Sequence, residues 1–209
     1  EALGFYSRAY SFLLIPVSAV TQNVTAVLFP AISSMKEDKE RVRKAVLRVL
    51  ELSVLISFPT LTFSFFFAMD ITVTILGVQW NPIVPLIEVF CAIGIIQTIS
   101  SFMGPIYLSQ GATRLQFVVG TILRANTIFL IVIGLQFGVI AVAWFYLLAV
   151  CINFLPNTYY AGRLIALSPL NVLIVCIQPF LLSVLAALAA YLFCSFFIVL
   201  VSFTEGNSP

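Results

Sequence analysis

The stretch Ser33-Ser34-Met35-Lys36-Glu37-Asp38-Lys39-Glu40-Arg41-Val42-Arg43-Lys44 decides how the rest of the chain is read. It gathers five of the ten Lys and Arg residues into one short gap between two apolar runs. The run before it extends from about Tyr10 to Ile32, and the run after it from about Ala45 to Met69. A helix needs roughly 20 mostly apolar residues to cross a hydrocarbon layer, and both runs meet that length. Four more runs follow, at about Ile83–Leu108, Leu115–Phe137, Val139–Tyr160 and Phe180–Val201. The fold expected is all-α and integral to a membrane, with about six transmembrane helices and a polar tail over 204–209.

Composition agrees. Hydrophobic residues make up 62% and charged residues 9%, against about 45–50% and about 25% in soluble domains. The mean hydropathy is +1.15. The apolar residues come in runs and do not alternate, which argues against a membrane barrel. A net charge of +2 implies no nucleic-acid partner. The chain starts at Glu1 and reaches an apolar run within ten residues, so it is expected to be a segment of a longer protein.

Orientation follows from the gaps. Lys and Arg collect in cytoplasmic loops, because positive charge resists translocation. The gaps after spans one, three and five hold Lys36–Lys44, Arg114 and Arg163, while those after spans two and four hold no base. Arg8 alone breaks the alternation. Both ends are therefore expected outside the cytoplasm and the 33–44 helix inside it. Ser34 and Glu37 have capping-box spacing, which predicts a helix start at Ser34. Glu37 with Arg41 and Glu40 with Lys44 are spaced for ion pairs along that helix, and Glu51 is expected to pair with Arg48. Pro59 is expected to kink the second span. Pro179 is expected to divide the last apolar run, leaving an interfacial or re-entrant piece near 170–177.

The residue inventory excludes several chemistries. Histidine is absent, which removes His-based metal sites and triads. Cys91, Cys151, Cys176 and Cys194 lie far apart in apolar runs and read as small hydrophobes. Asn23-Val24-Thr25 fits a glycosylation acceptor but lies inside the first span. Neither a catalytic site, a metal nor a cofactor is expected.

Polar residues within spans carry the functional signal, since burying them in hydrocarbon is costly without partners or water. Arg124 lies about nine residues into the fourth span, or roughly 14 Å at 1.5 Å per residue. Gln116 and Thr127 share its helical face. Arg124 reads either as a cation that draws an anionic group into a cavity or as a residue that snorkels to the headgroups. Ser18, Thr21, Gln22 and Thr25 form a stripe on the first span, which either lines a sugar path or bonds neighbouring helices. Gln97 lies deep in the third span. Glu88, nearer the outer interface, reads as a cation-coupling carboxylate, a partner for Arg124 or a surface group.

Several segments resemble a known family. Leu3-Gly4-Phe5-Tyr6-Ser7-Arg8-Ala9 resembles the LGxYSRA signature of bacterial polysaccharide flippases, and Val27-Leu28-Phe29-Pro30-Ala31-Ile32-Ser33 resembles the segment before their charged helix. Leu76-Gly77-Val78-Gln79-Trp80 is similar to their LGxxW turn. Leu108–Thr113 is similar to their loop around a glycine, and Gly138–Ala143 to their GxxGVA helix start. The family is the lipid-linked polysaccharide flippases, including colanic-acid-type exporters, of the multidrug/oligosaccharidyl-lipid/polysaccharide exporter superfamily. The resemblance implies a two-lobe transporter, with this chain as part of the C-terminal lobe and the N-terminal lobe as its missing partner. It further implies residence in the bacterial inner membrane and export of an undecaprenyl-diphosphate-linked oligosaccharide by alternating access. Two alternatives remain: a cation-coupled multidrug antiporter of the same superfamily, and a non-transporting scaffold for polysaccharide synthesis enzymes.

Overall fold

A computed structural model describes Gly4, Ser7, Ser11 and residues 28–205, with side chains as far as Phe196. The described residues form helices and short turns, without a strand. After a helical stretch at 28–34, the elements are α1 (Lys39–Phe66), α2 (Ala68–Leu76), α3 (Val84–Ser100), α4 (Met103–Ser109), α5 (Thr113–Gly134), α6 (Val139–Leu164) and α7 (Pro169–Glu205). Five helical segments among the described residues are long and apolar enough to cross a membrane: Lys39–Phe66, Val78–Ser109, Thr113–Phe137, Val139–Leu164 and Pro169–Phe196. The protein is a multi-pass membrane protein of all-α class. Most of the expected first span lies outside the described residues.

The helices adjoin one another in the order α7, α1, α3, α6, α5, with α4 set against α5 and α6. α1 holds the core together because Val42, Val46, Leu50, Val54 and Phe58 recur every four residues and form one buried stripe. The stripe meets Ile32 from the 28–34 stretch, Ile99, Phe102 and Ile106 from the α3–α4 region, and Val172 and Cys176 from α7. A second cluster sits toward the other end, where Leu61, Ala68, Ile83, Phe90 and Ile93 pack with Ala143 of α6. α5 stands at the end of the row, and only 11% of its most apolar window is buried.

Local sequence explains most boundaries. α1 starts later than the Ser34–Glu37 spacing predicts. Asp38 is its N-cap, accepting from the Arg41 backbone N–H at 3.0 Å. Ser34 instead donates back to the Ala31 carbonyl at 2.8 Å. α1 begins at Lys39, five residues past Ser34, so the free N–H groups of its first turn lie at Asp38 and not at Ser34. The same shift redirects the ion pairs. Arg41 meets Asp38 at 3.5 Å in place of Glu37, while Lys44 meets Glu40 at 2.7 Å as expected. Arg48 and Glu51 form no ion pair with each other. In their order the base precedes the acid, the weaker orientation for pairing on a helix.

The expected 83–108 span is broken at Ser101–Phe102, between α3 and α4. Pro105 follows in the first turn of α4. Its ring crowds the carbonyl four residues back, at Ser101, and it offers that carbonyl no N–H, so the helix restarts there. Pro179 behaves differently. α7 runs unbroken from Pro169 to Glu205 with Pro179 inside it, so the division expected there is absent. A single missing N–H is tolerated in a membrane helix that is held by packing. Pro59 likewise lies within an unbroken α1. Asp70 occupies the first turn of α2, where the helix dipole favours an acid. The tight turn between α5 and α6 is a short 3-10 turn, Leu135–Phe137, closed by Gly138 at a φ of 97°. At the far end of α6, Leu167 N–H returns to the Gly162 carbonyl at 2.8 Å. A side chain at Gly162 would strike the Leu167 carbonyl.

Two hydrogen bonds tie the base-flanked connections together at one end of the bundle. Gln110 Nε2 donates to the Lys36 carbonyl at 3.4 Å, and Arg43 Nη1 donates to the Ala166 carbonyl at 3.3 Å.

Candidate functional site

Three helices present polar stripes to one space. Gln97 and Ser100 of α3 and Ser101, its C-cap, are spaced three and one apart and share a face. Gly120, Leu123, Arg124, Thr127 and Ile128 of α5 follow the same three-and-four rhythm, as do Tyr146, Val150, Asn153, Phe154 and Asn157 of α6. Together they line an open cavity of about 710 Å³, a volume in the range of ligand sites of roughly 300–1,000 Å³.

The cavity wall is held by hydrogen bonds between helices. Asn153 Nδ2 donates to Thr127 Oγ1 at 2.9 Å and to the Leu123 carbonyl at 3.0 Å. Asn126 Nδ2 donates to Asn153 Oδ1 at 2.9 Å. These bonds grip α5 at positions 123, 126 and 127, on both sides of Arg124. On the opposite wall Gln97 Nε2 donates to the Tyr146 hydroxyl at 2.6 Å, joining α3 to α6. Near the floor the Tyr107 hydroxyl donates to the Asn157 carbonyl at 3.4 Å.

Arg124 is the charged residue of this lining. It makes no ion pair and no hydrogen bond among the described residues, and Glu88 is not its partner. Its guanidinium carries five N–H donors in a planar fork that matches phosphate or carboxylate oxygens. The amides of Gln97, Asn153 and Asn157 and the hydroxyls of Ser100, Ser101 and Tyr146 supply both donors and acceptors. Such a lining can bind a ligand with an anionic group at one point and hydroxyls elsewhere.

Of the residues the sequence singled out, the structure brings Gln97, Arg124 and Thr127 to the cavity. Gln116 is on α5 but lies away from the lining, with its amide beside Gly104. Glu88 is a partly exposed residue of α3 and does not line the cavity. Ser18, Thr21, Gln22 and Thr25 lie outside the described residues. Sequence reasoning missed Asn126, Tyr146, Asn153 and Asn157. The signal was present in α6, where Tyr146, Val150, Asn153 and Asn157 recur at four, three and four residues. Among the described residues no group of His, Cys, Asp and Glu could hold a metal ion.

Comparison with known proteins is consistent with this architecture. The family model described as "Polysaccharide biosynthesis protein" matches residues 1–85. The teichuronic acid biosynthesis protein TuaB of Bacillus subtilis is 27% identical over 195 residues, covering 91% of this chain and 40% of the relative. The lipopolysaccharide biosynthesis protein WzxC of Escherichia coli is 27% identical over 151 residues, covering 72% of this chain and 31% of the relative. An uncharacterized membrane protein in the cps region of Klebsiella pneumoniae is 28% identical over 113 residues, covering 54% and 23%. The chain thus spans less than half the length of each of these relatives. No solved structure matches. These matches bear out the resemblance to the polysaccharide-biosynthesis flippase family.

Proposed function

We propose that this chain forms part of a transporter that moves an undecaprenyl-diphosphate-linked oligosaccharide across the bacterial inner membrane by alternating access. The observation that carries this reading is Arg124, without an ion pair or hydrogen bond among the described residues, in a cavity otherwise lined by amides, hydroxyls and apolar groups. The diphosphate would sit at the Arg124 fork, and the sugar hydroxyls would bond to Gln97, Ser100 and Asn157. The names of the relatives, in teichuronic acid and lipopolysaccharide biosynthesis, support a polysaccharide precursor as the cargo.

The proposed orientation places the 33–44 segment and the connections near Arg114 and Arg163 in the cytoplasm, with both ends of the chain outside. The bonds from Gln110 to Lys36 and from Arg43 to Ala166 support it, because they bring these base-flanked connections to one end of the bundle.

Arg124→Ala in the full-length protein tests the function. Polymer export should stop while the amount of protein in the membrane is unchanged. Arg124→Lys, which keeps the charge and loses the fork, should restore export in part. Normal export by Arg124→Ala would sink the assignment.

A further inference from the structure

A second cavity, of about 650 Å³, lies between α1 and α7 and is lined by Lys44, Leu47, Arg48, Glu51, Leu52, Leu55 and Val175. Six of these seven residues lie on α1 at intervals of three, one, three, one and three, so they form one helical face. The face is sharply divided along its length. Its first part carries charge and its last part is leucine, with Leu52 and Leu55 58–59% exposed.

The charged part has an unusual state of pairing. Lys44 is engaged by Glu40 at 2.7 Å. Arg48 and Glu51 stand three residues apart, exposed, and neither makes an ion pair or a hydrogen bond among the described residues. Three charged side chains thus line the same groove, and of these Arg48 and Glu51 keep their hydrogen-bonding capacity open among the described residues.

Depth identifies what meets them. After Glu51 no charged residue occurs in the chain until Asp70. The 18 residues between them span about 27 Å as a helix, close to the roughly 30 Å thickness of bilayer hydrocarbon. Arg48 and Glu51 therefore sit at the boundary of hydrocarbon and headgroups, and Leu52 and Leu55 lie within the hydrocarbon. A ligand in this groove has an apolar tail beside the leucines and a polar head beside the two charges.

We infer that the α1–α7 groove binds a phospholipid whose headgroup carries both a phosphate and a primary amine, as phosphatidylethanolamine does. The phosphate accepts from Arg48, and the ammonium donates to Glu51. Side chains three apart on a helix have Cβ atoms about 5–6 Å from each other, the scale of a phosphate and an amine joined by two carbons. Pro179 adds a further acceptor. It has no N–H to give the carbonyl four residues back, which belongs to Val175 on the groove wall. A purely anionic headgroup would satisfy Arg48 and be repelled by Glu51. A choline headgroup has no N–H to donate.

Native mass spectrometry of the intact protein, delipidated and then titrated with phosphatidylethanolamine, phosphatidylglycerol or phosphatidylcholine, reads this directly. Phosphatidylethanolamine should be retained about tenfold more tightly than either competitor, the worth of one charge-assisted hydrogen bond. Glu51→Gln should abolish the preference over phosphatidylglycerol, and Arg48→Ala should weaken all three lipids in the same groove, since each carries a phosphate. A melting curve of each variant without lipid separates loss of the site from loss of the fold. Equal retention of the three lipids by the wild type, or an unchanged preference in Glu51→Gln, overturns the inference.

Discussion

Asn153 and Asn126 meet across the α5–α6 interface, Nδ2 of Asn126 donating to Oδ1 of Asn153 at 2.9 Å. The amide of Asn153 is engaged at both its nitrogen and its oxygen, with Thr127 and the Leu123 carbonyl taking the donors. The pair both joins two helices and fixes the stretch of α5 that carries Arg124.

Asn153→Ala should lower stability by about 2 kcal/mol, the sum of three interhelical bonds at about 0.6 kcal/mol each. A thermal melt in detergent reads the loss. Export should fall along with it, because Arg124 loses its fixed position. A melting curve identical to wild type would contradict the role given to Asn153.

The cavity should be wet. In a background with Cys91, Cys151, Cys176 and Cys194 replaced, Ser100→Cys and Asn157→Cys should react with a charged, membrane-impermeant thiol reagent in opened vesicles. Phe129→Cys, on α5 but outside the cavity lining and 64% exposed, should stay protected by lipid. Equal labelling of all three positions would remove the distinction between a cavity wall and a lipid face.

Orientation has its own test. Val78→Cys, at the start of the 3-10 turn Val78–Ile83 that precedes α3, should react from outside intact cells, and Lys39→Cys only after lysis. The reverse pattern would invert the proposed topology.

Glu88→Gln should leave export intact, since Glu88 neither lines the cavity nor pairs with Arg124. Loss of transport in this variant, together with loss of its dependence on an ion gradient, would favour the cation-coupled antiporter over the flippase.

The all-α membrane class was legible in the sequence because hydrocarbon imposes a length and excludes charge, and both are visible residue by residue. Arg124 was legible for the same reason: it is the one charged residue within the run Leu115–Phe137. The helix start at Asp38 was not, because Ser34 and Asp38 both have capping chemistry and only three-dimensional placement decides which hydroxyl or carboxylate faces the free N–H groups. The break at Ser101–Phe102 and the continuity through Pro179 show the same limit. Pro105 and Pro179 remove the same hydrogen bond, and the packing around each decides whether the helix continues. Asn153 was missed because an amide in an apolar run is ordinary in sequence. It becomes informative only when its partners on α5 are seen around Arg124.

The unbroken course of α7 has a geometric consequence. Its 37 residues extend about 55 Å, against a hydrocarbon layer of about 30 Å. To fit inside that layer by leaning alone, the helix would have to incline by nearly 60°, well beyond the 0–40° seen for transmembrane helices. Part of α7 must therefore run beyond the hydrocarbon. Its first turns, which carry Val175 and pack Val172 and Cys176 against α1, lie level with the charged end of α1 and form a rigid shoulder on the membrane surface.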